Sequence, residues 1–450
     1  MTVSDFLNEE LVDFASYSTL RAIPSAIDGQ KNSTRKVIYG AQKELKKETK
    51  VSVLAGIISI KTQYLHGDIS GSIVTLARDY CGSNNIPLLV AGGNFGSRMI
   101  PENSATRYIF TEKQPYFDKI FKKEDNDILI QQVFEGDEIE PRFYVPTIPL
   151  LLINGSVGLA TGFSSKILPR DTEKVINYIK AKLNNEKVNK NDLSPSVKGF
   201  KGSIIVDENN PEKCVIFGKA KIVNSQKKYV EITELPLSYN LRNYLDYLDK
   251  LEEKGVIKKY EDLSDDDNFK FIIHCDGKFL SQDESVIYDK LGLIKPYTEN
   301  FTTLDSENKV MELKSAEELL DYYMNIKLEF TEKRRQNNIE KLNTQLNHLK
   351  SINEFIQSVL SNKIDLKKDN KDTLVKFCND NEIIVKKQGS YDYLFNISIL
   401  NFTPSKVSDL QKAIKSVEKE IVSLGKKSAK DLWIKDLDDF FDEIKTTKHF

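Results

Sequence analysis

The chain has 450 residues, enough for about three domains of ordinary size. Its 65 Lys and Arg nearly balance its 67 Asp and Glu, so the net charge of -2 does not by itself indicate a partner that is a polyanion. The four cysteines lack paired spacing and no secretory signal or membrane-length apolar run is present, which argues against disulfide and zinc frameworks and predicts a cytoplasmic protein.

The first portion, to about residue 165, mixes helical patterns with loops rich in Gly and Asn. Apolar spacing predicts helices over FASYSTLRAI (residues 14–23) and STRKVIYGAQKEL (residues 33–45). Ser33 and Thr34 are suitable N-caps for the second helix. The apolar run IPLLLI (residues 148–153) is followed by Asn154 and Gly155, which together indicate a turn.

The next portion, from about 166 to 305, is dominated by short strand patterns. The runs GSIIVD, KCVIFGKAKIV, KYVEITEL and FKFIIH alternate with polar turns, and LRNYLDYLDKLEEKG (residues 241–255) has the spacing of a helix. This portion is therefore expected to be a mixed α/β region.

The last third changes to the period of long helices. Two apolar stripes recur at steps of three or four: Ile339, Leu342, Leu346, Leu349, Ile352, Ile356 and Leu360, and then Val407, Leu410, Ile414, Val417, Ile421 and Leu424. We expect the two helices to pack as antiparallel arms, with a compact module at about residues 361–404 between them. Taken alone, the periodicity favours a simple helical hairpin.

Positive charge is concentrated near the start of the chain. Residues 21–50 carry eight bases against the three acids Asp28, Glu44 and Glu48: Arg21, Lys31, Arg35, Lys36, Lys43, Lys46, Lys47 and Lys50. A lysine-rich run is often only a solvated surface. Because phosphate binding depends on local charge, the same run can hold nucleic acid.

An arginine directly precedes a tyrosine in SATRYIFT (residues 104–111), at Arg107 and Tyr108. A tyrosine can act as a covalent nucleophile, and an arginine fork matches the geometry of a phosphate. The pair could therefore cleave a phosphodiester, although most single Arg-Tyr pairs are structural.

The neighbouring segments give this pair its context. RAIPSAIDGQKNSTRKVIYG (residues 21–40), YLHGDIS (64–70), GGNFGSR (92–98) before Arg107 and Tyr108, and FYVPTIPLLLINGSVGLATG (143–162) follow one another in that order. In order and spacing they resemble the DNA cleavage and religation half of type IIA DNA topoisomerases. The resemblance continues through EITELP (231–236), YDYLFNISILNFT (391–403) and DLWIKDLDDF (431–440), and so covers most of the chain.

The resemblance implies an α+β, multidomain fold. Residues 1–165 would form a winged-helix DNA-cleavage domain and residues 166–305 a mixed α/β tower domain. Residues 306–450 would form a long antiparallel coiled coil carrying a small helical exit-gate module at about 361–404, through which two copies of the chain form a homodimer.

It also implies roles for particular residues. The catalytic set would be Tyr108 as nucleophile, Arg107 and Arg35 on the scissile phosphate, and His66 for proton movement or phosphate binding. His66 has an equally plausible structural role. The DNA-binding set would be Arg21, Lys31, Lys36, Arg98 and Leu159, the last as an aliphatic wedge between base pairs rather than a core leucine.

The implied partners are double-stranded DNA and a large topoisomerase subunit. We find no Gly-rich nucleotide loop and no acidic triad in the chain, so the ATPase and the Mg²⁺-binding Toprim domain are expected on that large subunit, which would hold both ATP and Mg²⁺. This division is typical of the T-even-like bacteriophage branch of the family, in which a medium subunit carries the cleavage half; the cytoplasm would then be that of the bacterial host. A fragment of a longer single-chain enzyme is an alternative.

Two other functions remain open at this point. One is a gyrase or topoisomerase IV A-type subunit, which the early end of the chain after residue 440 is expected to disfavour. The other is a non-enzymatic DNA-organising protein with a winged helix and a coiled coil, which would leave the joint occurrence of the Arg-Tyr, HGD and INGSVG segments without a reason.

Overall fold

The computed structural model describes residues 2–224, 228–366 and 368–447. The chain forms two compact units, one of Met1–Lys327 with Ile434–Phe450 and the other of Leu328–Trp433. They are called the first and the second unit below. The predicted division at residues 165 and 305 is a finer one, and it stays a prediction.

The first 167 residues are mainly helical with short strands. The elements in chain order are α1 (Val3–Asp5), a π-helical turn (Phe6–Glu10), α2 (Leu11–Ala22), α3 (Asn32–Glu44), β1 (Thr49–Lys50), α4 (Val51–Lys61), α5 (Ser70–Ala77), β2 (Phe110–Thr111), α6 (Phe117–Ile120), a 3₁₀ turn (Lys123–Asp125), β3 (Val133–Phe134), β4 (Asp137–Glu138), α7 (Leu150–Asn154), β5 (Ser156–Leu159) and β6 (Ser164–Ile167). Strands β1 and β2, β3 and β4, and β5 and β6 form antiparallel pairs.

Helices α3, α4 and α5 pack around a common apolar core. Val37, Ile38, Leu54, Ile58 and Ile73 are all at most 1% exposed. A Cβ at Gly40 would lie 2.4 Å from Cγ1 of Ile58, so only glycine allows α3 and α4 to approach this closely. The two helices predicted in this portion are thus confirmed, and the second begins at Asn32, one residue before its expected cap.

The turn expected at Asn154 and Gly155 is also present. The apolar run before it forms the short helix α7, with Leu150, Leu152 and Ile153 at most 1% exposed. Gly155 has φ of +68°, and a Cβ there would lie 2.5 Å from the carbonyl oxygen of Ile167. The chain therefore turns sharply at a position that requires glycine.

The following portion contains two antiparallel sheets. Its elements are α8 (Thr172–Leu183), β7 (Ser203–Val206), β8 (Lys213–Phe217), β9 (Lys219–Asn224), β10 (Lys228–Glu234), α9 (Leu241–Glu253), β11 (Lys259–Asp262), β12 (Phe271–His274), α10 (Gly277–Leu280), α11 (Glu284–Lys290), β13 (Ile294–Thr298), β14 (Phe301–Leu304) and β15 (Val310–Leu313). The sheet orders are β11-β12-β10-β9 and β13-β8-β7, and β14 pairs with β15. The mixed α/β prediction is confirmed.

Helix α9 packs on the four-stranded sheet because its apolar residues share one face. Tyr244 and Leu248 of α9 and Ile232 and Phe271 of the sheet are completely buried in one cluster. Asn240 caps the helix by accepting the amide of Asn243 at 2.9 Å. Burial of these side chains holds the helix and the sheet together as two packed layers.

The remaining helices are α12 (Ala316–Leu360), α13 (Lys371–Asp380), α14 (Asp392–Phe395), α15 (Pro404–Gly425) and α16 (Ala429–Lys445). In the second unit, Lys350 of α12 pairs with Glu418 of α15 at 2.8 Å. Leu374, Cys378 and Leu394 of the intervening module form a core with Phe355 of α12. The two predicted arms and the module between them are therefore present. Most of α16 belongs to the first unit.

Candidate nucleic-acid interface

Tyr108 lies on an exposed turn immediately before β2. Its side chain is 66% exposed. The guanidinium carbon of Arg107 lies 4.9 Å from the centre of the tyrosine ring, within cation–π range. Both side chains face solvent, so a phosphate can reach the phenol and the guanidinium together.

The backbone under this pair is held in place by α4. The first two amides of that helix, at Val51 and Ser52, donate to the carbonyls of Ile109 and Thr106 at 3.0 and 3.2 Å. Helix N-terminal amides have no partner within the helix, so they are free to make these bonds. The turn is anchored on both sides of Tyr108, while its side chain stays free.

The glycines of the GGNFGSR segment support the same turn. Gly92 exchanges backbone hydrogen bonds with Phe110, at 2.9 and 2.8 Å. A Cβ at Gly92 would lie 3.0 Å from the carbonyl oxygen of Phe110, and one at Gly93 would lie 3.2 Å from Cγ2 of Ile109. Close approach to the strand that follows Tyr108 accounts for both glycines.

Arg21 and His66 meet through a tyrosine. The guanidinium carbon of Arg21 lies 5.5 Å from the ring centre of Tyr17, whose hydroxyl is 3.3 Å from Nδ1 of His66. The ring of Tyr64 lies 5.9 Å from the imidazole on another side. Arg21 and His66 are both exposed, so this cluster can bind an anion at the surface. Sequence reasoning missed Tyr17, although its position four residues before Arg21 on a helix was a usable signal.

Lys31 and Leu159 are connected by the hairpin of β5 and β6. The ammonium of Lys31 donates to the carbonyl oxygen of Val157 at 2.7 Å. Burial lowers the pKa of Lys31. Leu159, at the end of β5, is 82% exposed, which excludes the core-leucine alternative.

Two predicted residues of α3 face inward, and their assignments need correction. Arg35 is 6% exposed and forms a two-pronged ion pair with Asp28, at 2.7 and 3.1 Å. Lys36 is 8% exposed and lies 2.8 Å from Glu140. A buried cation retains its charge only with such a partner. These ion pairs hold both side chains in the interior, and neither side chain faces the surface that carries Tyr108.

Arg98 is likewise a structural residue rather than a surface contact. Its guanidinium bonds Glu234 at 3.2 Å and the carbonyl of Leu235 at 2.7 Å, and it lies 5.4 Å from the ring centre of Phe269. These partners fix the GGNFGSR loop to the end of β10. The expected contact between Arg98 and DNA is therefore not supported.

A groove on the first unit contains Lys31 and three basic residues that sequence reasoning missed. Its volume is about 850 Å³, and Lys31, Arg78, Lys166 and Lys295 line it without any acidic residue among the described lining. Nζ of Lys166 lies 4.0 Å from the ring centre of Tyr297. The four cations are separated by up to 264 positions in sequence, so only the fold reveals their common surface.

No cluster of three or more His, Cys, Asp or Glu residues suited to a metal ion occurs within the described ranges. Across the same ranges, every helix is too short or too polar to cross a membrane.

The family model for the A chains of DNA gyrase and topoisomerase IV matches residues 21–438. The chain belongs to this family. The resemblance to the cleavage and religation part of type IIA DNA topoisomerases is confirmed, as is the α+β, multidomain fold class.

Individual topoisomerases agree with the family model. The chain is 32% identical to the mitochondrial DNA topoisomerase 2 of Dictyostelium discoideum, over 97% of this chain and 35% of that protein. It is 30% identical to the DNA topoisomerase 2 of Invertebrate iridescent virus 6, over 97% of this chain and 38% of the viral protein. The chain thus spans about a third of the length of these curated relatives.

The fold has a solved counterpart. The crystal structure of the Plasmodium falciparum topoisomerase II DNA-binding, cleavage and re-ligation domain superposes with a TM-score of 0.86 at 30% identity. The similarity covers 98% of this chain and 64% of the Plasmodium chain. Nearly all of this topoisomerase-family chain, including both units, therefore has a counterpart in that domain.

Proposed function

We propose that the chain is the DNA-cleaving and religating part of an ATP-dependent type II DNA topoisomerase. The observation that carries the proposal is the exposed Arg107–Tyr108 pair on an anchored turn, in a chain of this family. In this proposal residues 1–165 act as the winged-helix cleavage domain, residues 166–305 as the tower, and the helices after residue 305 as the arms and exit gate.

The reaction is a transesterification. The phenolic oxygen of Tyr108 forms a bond to a backbone phosphorus while the bond from phosphorus to the 3′ oxygen breaks. The products are a 5′-phosphotyrosine and a free 3′-hydroxyl, which takes up a proton. Because the phosphoester bond is kept, the reverse step rejoins the strand without an energy source. Two copies acting on opposite strands would open a transient double-strand gate for a second duplex.

Charge stabilisation is the main demand of such a transfer. Arg107 lies beside the phenol and is suited to hold the scissile phosphate. Arg21 and His66 would bind a phosphate through the cluster around Tyr17, and His66 would receive the phenol proton. Lys31 would hold a flanking phosphate and also support the hairpin from which Leu159 enters the duplex.

The duplex on either side of the cleavage point would follow the basic groove. Lys31, Arg78, Lys166 and Lys295 supply positive charge along it. Backbone contacts of this kind are independent of sequence and weaken steeply with salt. The groove would thereby hold DNA that Leu159 has bent.

ATP and Mg²⁺ enter the proposal through a partner. An ordinary phenol ionises near pH 10, so attack at neutral pH needs added electrostatic stabilisation. Mg²⁺ bound by a Toprim domain would supply it, and the ATPase would act in the same large subunit. The proposed assembly contains two copies of each of the two proteins.

The test is cleavage of supercoiled plasmid by the chain reconstituted with a Toprim partner and Mg²⁺, followed by detergent. We expect linear DNA with protein on its 5′ ends. Tyr108→Phe should lose the adduct altogether, because phenylalanine has no nucleophilic oxygen. Tyr260→Phe is the matched control. The hydroxyl of Tyr260 donates to Asp249 at 2.5 Å, and Tyr260 lies on β11, an edge strand of the four-stranded sheet. Adducts that persist in Tyr108→Phe would show that another residue is the nucleophile.

A gyrase or topoisomerase IV A-type subunit is a second candidate, which the matching family model favours. ATP-driven negative supercoiling by the reconstituted complex would establish it. Retardation of DNA without any cleavage would instead support the non-enzymatic DNA-organising alternative.

A further inference from the structure

Four lysines form a stripe along α15 and its C-cap residue in the second unit. Lys412, Lys415, Lys419 and Lys426 recur at helical spacing, with the 55%-exposed Val422 between the last two. All four lysines are exposed. Leu410 and Val417, which are 7% exposed, point to the other side of the helix. We call these four lysines and Val422 the cationic stripe.

The stripe lies opposite the packed face and contains no acid. At 3.6 residues per turn, its members project roughly 120–200° away from Leu410 around the helix. The other residues at similar angles are uncharged: Pro404, Ser405, Ser408 and Ser423. Asp409, Glu418 and Glu420 lie on the flanks, so the stripe presents positive charge alone.

Most of this charge is not neutralised by acids in the described part of the chain. Among the described residues, the stripe makes one ion pair, between Lys412 and Asp409 at 3.7 Å, and both of those side chains are more than half exposed. The nearby Glu418 is occupied by Lys350 at 2.8 Å. Residues 328–433 carry 19 Lys and Arg against 14 Asp and Glu, in a chain whose net charge is -2. The second unit is thus the positive part of an acidic chain.

The dimensions fit a nucleic-acid backbone. With a rise of about 1.5 Å per residue, the stripe spans roughly 21 Å. One strand of duplex DNA presents a phosphate about every 3.4 Å along its axis, so about six phosphates lie within that length. Protein interfaces usually centre on aromatic or arginine anchors, whereas the stripe has one aliphatic member, Val422. Its chemistry favours a polyanion over a protein partner.

We propose that the cationic stripe is a second DNA-binding surface, which holds the phosphates of a duplex other than the one cleaved at Tyr108. The inference rests on the proposed function, since that function brings two duplexes to the same enzyme. The cationic stripe adds to the proposed function a contact on α15 for the second duplex.

Lysine footprinting of the full chain tests the proposal directly. The chain is treated with an amine-reactive reagent at about 50 mM salt, with and without a short DNA duplex in excess, and each lysine is quantified by mass spectrometry. We expect the duplex to lower modification of Lys412, Lys415, Lys419 and Lys426 at least threefold, and 0.5 M salt to remove the protection. The exposed lysines Lys363, Lys368, Lys371 and Lys376 of the same unit should not change.

A charge-matched pair of variants supplies the functional arm. The first replaces the four stripe lysines with Gln, and the second makes the same change at Lys363, Lys368, Lys371 and Lys376. In the reconstituted complex we expect the first variant to keep covalent adducts at Tyr108 within twofold and to lose strand passage at least fivefold. The second should keep both.

The outcomes separate the two proposals. Unchanged footprints at the stripe, or stripe lysines that are unreactive without DNA because another protein surface covers them, would overturn the second site. Absence of adducts from the unmodified chain would overturn the proposed function instead, and the footprint is measured independently of it.

Discussion

Asp28 holds in place the start of the basic region at residues 21–50. It is completely buried, and its carboxylate accepts from Arg35 at 2.7 Å, from the amide of Gln30 at 2.9 Å and from the amide of Tyr144 at 3.0 Å. These bonds join the loop before α3 to the irregular segment at Tyr144. The loop also carries Lys31, so the same carboxylate orients a proposed DNA contact.

Asp28→Asn should strongly destabilise the chain, because it leaves the guanidinium of Arg35 buried without the carboxylate that it pairs with. Loss of one partner of a buried pair costs about 3–5 kcal/mol. Urea unfolding followed by circular dichroism measures the loss. The matched control is Glu44→Gln, whose ion pair with Lys61 joins two partly exposed side chains and should be worth at most about 1 kcal/mol. Equal effects of the two substitutions would contradict this role for Asp28.

At the scale of elements, the hairpin of β5 and β6 shows how an apolar residue can be held in solvent. Strand alternation places Val157 and Leu159 on the same face, 64% and 82% exposed. Gly158, between them, has no room for a Cβ, which would lie 2.3 Å from the carbonyl oxygen of Ala22. One face of the hairpin therefore packs on the end of α2, and the other face is directed outward.

Leu159→Ala should leave stability almost unchanged and reduce DNA bending. The side chain contributes little to the core, so we expect a change within about 0.5 kcal/mol in the free energy of unfolding. A wedge that unstacks a base step kinks the duplex, and a methyl group is too short to do so. Energy transfer between dyes on the ends of a duplex reports the bend. Ile205→Ala, on an exposed position of β7, is the control, and a normal bend in Leu159→Ala would exclude the wedge.

The helices and the buried cations show what the sequence could and could not predict. Helices α9, α12 and α15 carry regular apolar stripes, so local periodicity was sufficient to predict them. Burial of Lys36 and Arg98 was not predictable, because their partners are distant in sequence: Lys36 pairs with Glu140, and Arg98 with Glu234. A motif therefore identified the neighbourhood of the site, while the fold determined which of its cations face outward.

The basic groove shows a second limit of prediction from sequence. Lys166 lies on β6 and Lys295 on β13, in segments with no charge run. Each is an ordinary surface lysine in sequence. Their common surface arises because β6 lies beside the turn between β13 and β14, as the backbone bonds between Lys166 and Asn300 at 2.9 and 2.8 Å indicate.

For the whole molecule, self-association is the first property that the proposed function requires. In the second unit, Ile399 and Leu400 of the module between the arms are 73% and 83% exposed. Adjacent apolar side chains this exposed are typical of an interaction surface. We propose that they contribute to the exit-gate interface of the homodimer.

Replacing Ile399 and Leu400 together with Asp should convert the dimer to a monomer in solution. Burying two carboxylates in an apolar interface is strongly unfavourable, so the dissociation constant should rise about a hundredfold or more. Sedimentation equilibrium measures it. Ile205→Asp, at a 57%-exposed position of β7, should remain dimeric. A dimer that survives the double substitution would place the main contact elsewhere.

Dependence on a partner is the second such property. Tyr108 is exposed and Arg107 is beside it, and in the proposed function the Mg²⁺ that stabilises attack by the phenol is held by the partner. With Mg²⁺ alone we therefore expect the purified chain to bind duplex DNA and form few covalent adducts. Adding a Toprim partner should raise the adduct yield at least a hundredfold, since positioned metal charge contributes several kcal/mol to such a step.

Removing Mg²⁺ with a chelator should return the yield to that of the chain alone. With ATP present, the complete assembly should relax plasmid DNA, which agarose gels resolve as a ladder of topoisomers. Full adduct formation by the chain without a partner would mean that its own residues suffice for the chemistry.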